Sequence, residues 1–236
     1  MITIIVRIIV VLRVIGSWSQ FCNMNKNCYL GRSSENLVMK PDPYSVVVLR
    51  DGVSEVCDGK MTAFCSIVLV KGPKNILVDP GSAWDKDLVL NYLEKHKLSN
   101  ITDIDYVIGT HCHSDHIGNL NLFPNAIHLV GFDINNKGKY VHHRFDLNIP
   151  YEIDEQISVI ATPGHSENDI SILVKNVPEL GNVVIAGDIF ESERDISDSN
   201  LWKEQSNDED TQMKSRRKII NMADVIIPGH GPMFSV

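Results

Sequence analysis

Thr110-His111-Cys112-His113-Ser114-Asp115-His116 decides how this chain is read. Three imidazoles and a carboxylate fall within six residues. Side chains two apart on an extended loop project to the same side, so His111 and His113 can grip one ion. Asp115 and His116 lie just beyond and can reach a second. Nitrogen donors mixed with a hard carboxylate suit Zn²⁺, Fe²⁺ or Mn²⁺. A loop of merely solvated histidines has no need of this spacing.

The pattern leading into the loop recurs elsewhere. VIGTH (107–111), VIATPGH (159–165), VVIAGD (183–188) and VIIPGH (225–230) are each an apolar strand that meets Gly or Pro and then His or Asp. Rigid strands of this kind deliver His111, His165, Asp188 and His230 to one edge of a sheet. One such case could be a structural histidine; four are hard to assign to chance. Asp79, in LVDPG (77–81), reads as a carboxylate fixing the ligand loop from below, with a plain turn residue as the alternative. Cys112 sits between two ligands with its side chain expected to point away, as a small packing residue.

Further out, β-branched runs bounded by turn residues predict strands at Tyr44–Arg50, Ala63–Val70, Asn75–Val78, Tyr106–Gly109, Ala126–Val130, Ile157–Ala161, Ile170–Val174, Val183–Ala186 and Asp224–Ile227. Trp84–His96 predicts a helix with Trp84, Leu88, Tyr92 and Leu93 near one face, and about 209–222 predicts a polar helix. Grouped strands with interspersed helices suit two stacked sheets flanked by helices, a four-layer αββα sandwich over residues 41–236 as a single domain.

The H-x-H-x-D-H stretch resembles the metallo-β-lactamase superfamily, and His165 in TPGH, Asp188 in AGD and His230 in PGHGP follow in that family's order. Carried over residue by residue, the resemblance implies one metal on His111, His113 and His165. It implies a second on Asp115, His116 and His230, with Asp188 bridging. Two divalent ions, zinc before iron or manganese, share a water in such a site and lower its pKa from ~15.7 to about 7. The expected activity is metal-dependent hydrolysis of an ester, amide or phosphodiester, with Asp115 holding the nucleophile and Asp188 joining the ions. Asp188 stands where many true β-lactamases carry a metal-binding Cys, which argues against antibiotic hydrolysis.

Within the superfamily, only six residues follow His230 and 41 separate it from Asp188, so the helical glutathione-binding and large nuclease insertions are not expected. PDPYSVVVL (41–49), GTHCHSDHIGNLNLFPNA (109–126), VVIAGDIFE (183–191) and SRRK…ADVIIPGHGP (215–232) are similar to an animal branch of the family. That likeness implies a homodimeric endoribonuclease that processes the 3′ end of histone-coding pre-mRNA, in cytosol and nucleus. Two alternatives stay open: a thioesterase or lactonase acting on a small acyl substrate, and a mononuclear iron persulfide dioxygenase.

Charge bears on that choice. The net charge is −8, yet residues 1–40 hold Arg7, Arg13, Lys26, Arg32 and Lys40 against Glu35, a net +4, leaving −12 on the remainder. So acidic a domain is a poor general binder of nucleic acid. The cluster Lys214, Arg216, Arg217 and Lys218 reads as a solvated helix face, with a phosphate contact as the alternative. Glu191–Asp210 holds eight acids against Arg194 and Lys203 and reads as a mobile, solvated loop beside the site. Five irregularly spaced cysteines suggest reduced thiols. Arg7 and Arg13 interrupt the apolar start, so no transmembrane anchor is expected. An accessory extension leading into a linker is preferred for residues 1–40, while Ser17-Trp18-Ser19 leaves secretion by a signal peptide as the alternative.

Overall fold

The β-branched runs become the strands of two sheets packed face to face. The computed structural model describes residues 43–98 and 100–236, so the expectations for residues 1–40, including Cys22 and Cys28, lie outside the described residues. The first half contributes β1 (Ser45–Arg50), β2 (Val53–Cys57), β3 (Lys60–Phe64), β4 (Ile67–Lys71), β5 (Ile76–Val78), helix α1 (Lys86–Lys95), β6 (Tyr106–Gly109) and the short α2 (Ser114–Ile117). It continues with β7 (Ile127–Val130), β8 (Asp133–Asn136) and β9 (Lys139–Val141). The second half holds β10 (Tyr151–Glu152), β11 (Ile157–Ala161), β12 (Ile170–Val177), β13 (Gly181–Gly187), α3 (Asn200–Lys203), α4 (Glu209–Ile220), β14 (Val225–Pro228) and β15 (Phe234–Ser235).

One sheet has the order β1-β4-β5-β6-β7-β8-β9, the other β10-β11-β12-β13-β14-β15. Strands β5, β6 and β7 run parallel, as do β13 and β14; the other neighbours are antiparallel. Alternation along each strand sorts the core. In β4, Val68 and Val70 face the second sheet and meet Val159, Ile172 and Ile185 among others. Ile67 and Leu69 face outward, where Val89 and Leu93 of α1 cover them. On the far side, Val184, Ala186 and Ile226 lie under Ile219 of α4 with Phe190 and Phe234. The layers are therefore helix, sheet, sheet, helix. Each fully buried Val, Leu or Ile side chain contributes roughly 1.5–3 kcal/mol, so the three apolar layers fix the sandwich.

Two expectations change. The run Ala63–Val70 is two strands, not one: the backbone N–H of Ser66 leaves the ladder to reach the Gly229 carbonyl at 2.6 Å. Ser66 thus ties the first sheet to the loop carrying His230, its hydroxyl also donating to the Gly231 carbonyl. Trp84 is 87 % exposed, because a 3₁₀ turn at Ala83–Asp85 precedes α1, whose buried residues are Val89 and Leu93.

Candidate metal centre

Strand ends from both sheets converge on one edge. Asp79 follows β5, His111 follows β6, His165 comes shortly after β11, and Asp188 and His230 follow β13 and β14. His116 sits on α2. Close approach of the β13 and β14 ends requires glycine: a Cβ on Gly229 would lie 1.8 Å from Asp188 Oδ1. Gly187, at φ +56°, takes a left-handed conformation and packs on Thr110.

All seven expected ligands meet here, in two groups. His111, His113, His165 and Asp188 present donor atoms within 4.8 Å of one another, and so do Asp115, His116 and His230. Asp188 stands between them. Its Oδ2 is 3.4 Å from both His111 Nε2 and His165 Nε2 and 3.3 Å from His230 Nε2, while Oδ1 is 3.2 Å from His116 Nε2. His165 Nε2 and His113 Nδ1 are 3.1 Å apart.

The donors are aimed by the groups behind them. Asp79, itself at φ +50°, accepts from Thr110 N–H at 2.7 Å and Thr110 Oγ1 at 2.9 Å, and its Oδ2 lies 2.9 Å from His116 Nδ1. The His116 ring thereby turns Nε2 toward the centre. His230 Nδ1 meets the Phe64 carbonyl at 3.1 Å, which likewise frees Nε2. Asp169 is a support the sequence reading missed. It accepts from Ser166 N–H and Oγ, both at 2.6 Å, and so folds the loop that holds His165.

His111 Nε2, Asp115 Oδ2, His116 Nε2 and Asp188 Oδ1 are buried and have no hydrogen-bond partner. Unpartnered buried polar atoms are unfavourable, and here they face one another. A nitrogen-and-carboxylate set of this kind fits first-row divalent cations.

Electrostatics without an ion show the same demand. Burial opposes charge on His116 and His230, yet it is outweighed by Asp188 acting with Asp79 at His116 and with Glu191 at His230, lifting His116 well above its usual value and His230 to about 9. Burial wins at His111, held well below the usual range, and at His165, pushed down to about 4. Burial would raise Asp188, but His116, His111 and His230 keep it well below the ordinary carboxylate value. Burial, reinforced by Asp188, pushes Glu191 up to about 8.

Comparison with known proteins accords with this arrangement. A family model described as the metallo-beta-lactamase superfamily matches residues 62–230. The chain belongs to the metallo-beta-lactamase superfamily. It is 45 % identical over 197 residues to metallo-beta-lactamase domain-containing protein 1 of Xenopus laevis, covering 82 % of each chain. Against the Homo sapiens protein of that name it is 36 % identical over 233 residues, covering 85 % of each. Among solved structures, a quorum-quenching N-acyl homoserine lactone lactonase superposes with TM-score 0.60 at 17 % identity, over 82 % of this chain and 92 % of that one. That likeness concerns the fold alone. By membership, this chain is a metallo-hydrolase of the superfamily.

Beside the superfamily centre opens a cleft of about 190 Å³, lined by His230, Glu191, Arg194, Val56, Met61 and Leu201 among others. The surrounding segment is less solvated than the sequence suggests. Glu191, Asp195 and Trp202 are buried. Arg216, read as part of a solvated basic face, is buried as well: its Nη2 lies 2.9 Å from Asp195 Oδ1, and its guanidinium packs on Phe190 and Trp202. Asp195 Oδ2 accepts from Glu191 N–H at 2.8 Å, and Gln212 Nε2 donates to the Asp188 carbonyl at 3.2 Å. Helix α4 therefore braces the Asp188–Glu191 turn. Cys112 is an exposed free thiol rather than a packing residue, and Cys57 and Cys65 are free as well. Among the described residues, no helix is long and apolar enough to cross a membrane.

Proposed function

We propose that the chain is a binuclear metal-dependent phosphodiester hydrolase, an endoribonuclease acting on the 3′ end of histone-coding pre-mRNA. The observation that carries the binuclear reading is Asp188, which stands between the two donor groups: its Oδ1 is 3.2 Å from His116 of one, and its Oδ2 lies 3.4 Å from His111 and His165 of the other and 3.3 Å from His230. His111, His113 and His165 would hold one divalent ion, and Asp115, His116 and His230 the second, with Asp188 shared. When bound, such a pair supplies a water that ionises near neutral pH and positive charge for the developing anion.

The remaining tasks fall to side chains. Asp115 orients the attacking water, so no Ser or Cys nucleophile is required. Asp79 holds the proton on His116 Nδ1 and keeps Nε2 free. Arg194 lines the cleft, where a guanidinium can contact a substrate phosphate. The RNA substrate, the homodimer and the location in cytosol and nucleus rest on the likeness to the animal branch of the superfamily.

A small acyl thioester or lactone is the second reading. The modest volume of the cleft and the side chains of Val56, Met61 and Leu201 in its lining favour it. The two part on one assay: a labelled single-stranded histone pre-mRNA 3′ segment is incubated with the metal-loaded chain, with Asp188→Ala as control. Specific cutting by the wild type alone is expected. Intact RNA in the presence of bound metal removes the nuclease reading and advances acyl substrates.

A further inference from the structure

Glu191 lies three residues beyond Asp188 and belongs to neither ligand group that the sequence announces. It is only 8 % exposed, and among the described residues no hydrogen bond reaches its carboxylate. Asp188 and Asp195 add negative charge around it, Arg216 is already taken by Asp195, and the opposing positive charge comes from the imidazoles of His230 and His116. A buried carboxylate without a partner is unfavourable, and a bound cation removes that penalty.

The geometry brings it to His230, one of the three donors of the second group. Oε2 is 4.0 Å from His230 Nε2, the ring nitrogen left free because Nδ1 faces the Phe64 carbonyl. Asp188, Glu191 and His230 offer atoms that all lie within 4.8 Å of one another, close enough to share one ion. The carboxylate also lines the cleft.

We propose that Glu191 is an additional oxygen ligand of the second ion, beside Asp115, His116 and His230. The inference rests on the binuclear reading above. It makes the two positions chemically unequal. The first has three imidazoles and Asp188; the second has two imidazoles with the carboxylates of Asp115, Glu191 and Asp188. More carboxylate oxygen favours a harder ion such as Mn²⁺ there.

The test is calorimetric titration of the metal-free full chain with Mn²⁺ and, separately, Zn²⁺, comparing wild type, Glu191→Gln and Glu191→Asp. Wild type should take two ions per chain. Glu191→Gln should keep the first at wild-type affinity and weaken the second by at least about tenfold, more for Mn²⁺ than for Zn²⁺. Glu191→Asp retains the charge but withdraws it by one methylene, so it should fall between the two; it carries the comparison if the Gln variant does not fold. Unchanged affinity for both ions overturns the proposal. So does a loss confined to the first ion, which would make Glu191 a partner of His165 Nδ1, also 4.0 Å away. A wild-type chain that takes one ion overturns the binuclear reading together with it.

Discussion

Asp79 reaches no proposed ion directly, yet three bonds radiate from its carboxylate to Thr110 and His116. Asp79→Asn keeps the shape and loses the charge that holds the His116 proton. Metal affinity should fall about 10–100-fold with the fold preserved, as competition against a chromogenic chelator would read. Unchanged affinity would reduce Asp79 to the turn carboxylate that its sequence context also allowed. Away from the centre, Asp85 accepts from Arg50 at 2.5 Å and from Ser82 N–H and Oγ at 2.7 Å. Burial alone would raise its pKa, but Arg50 and Ser82 bring it below the ordinary 3.8. A depressed carboxylate supplies its stability above the unfolded pKa and loses it as the pH falls through the folded one. Asp85→Asn should therefore destabilise by about 1–3 kcal/mol at pH 7, and the gap to wild type should close below pH about 4. Denaturant curves at several pH values read this directly, and a gap independent of pH would contradict it.

At the scale of elements, α4 does more than cover the second sheet. Its Arg216 pairs with Asp195, and Asp195 in turn holds the Glu191 N–H. Removing one partner of a buried pair leaves the other charge uncompensated, so Arg216→Ala should cost about 3–5 kcal/mol in urea unfolding. A loss within ~0.5 kcal/mol, ordinary for a surface residue, would restore the solvated reading of that helix face. Strands that carry ligands were legible in sequence because each closes on an apolar run that meets Gly or Pro within two residues; Ile157–Ala161 is found at the bounds expected. Hairpins β2–β3 and β8–β9 were not, since their residues are largely exposed and show no clean alternation. The burial of Glu191, Asp195 and Arg216 was hidden for a different reason. A charged residue announces its charge but not its partner, and this pair joins segments remote in sequence.

For the whole molecule, the fold gathers Asp115, Asp188 and Glu191 with five histidines at one edge of an acidic chain. Ions that bind only the folded state stabilise it by mass action, about 2.7 kcal/mol at a hundredfold excess over Kd. For a chain of this size that is a rise in Tm of roughly 5–11 °C, reversed by a chelator. A melting temperature indifferent to metal would mean the unpartnered donors are satisfied in some other way. The most direct measurement of the binuclear centre is anomalous diffraction from crystals of the metal-loaded chain. Two peaks should flank Asp188, one among His111, His113 and His165, the other among Asp115, His116 and His230. A single peak, or density away from Asp188, would contradict the account.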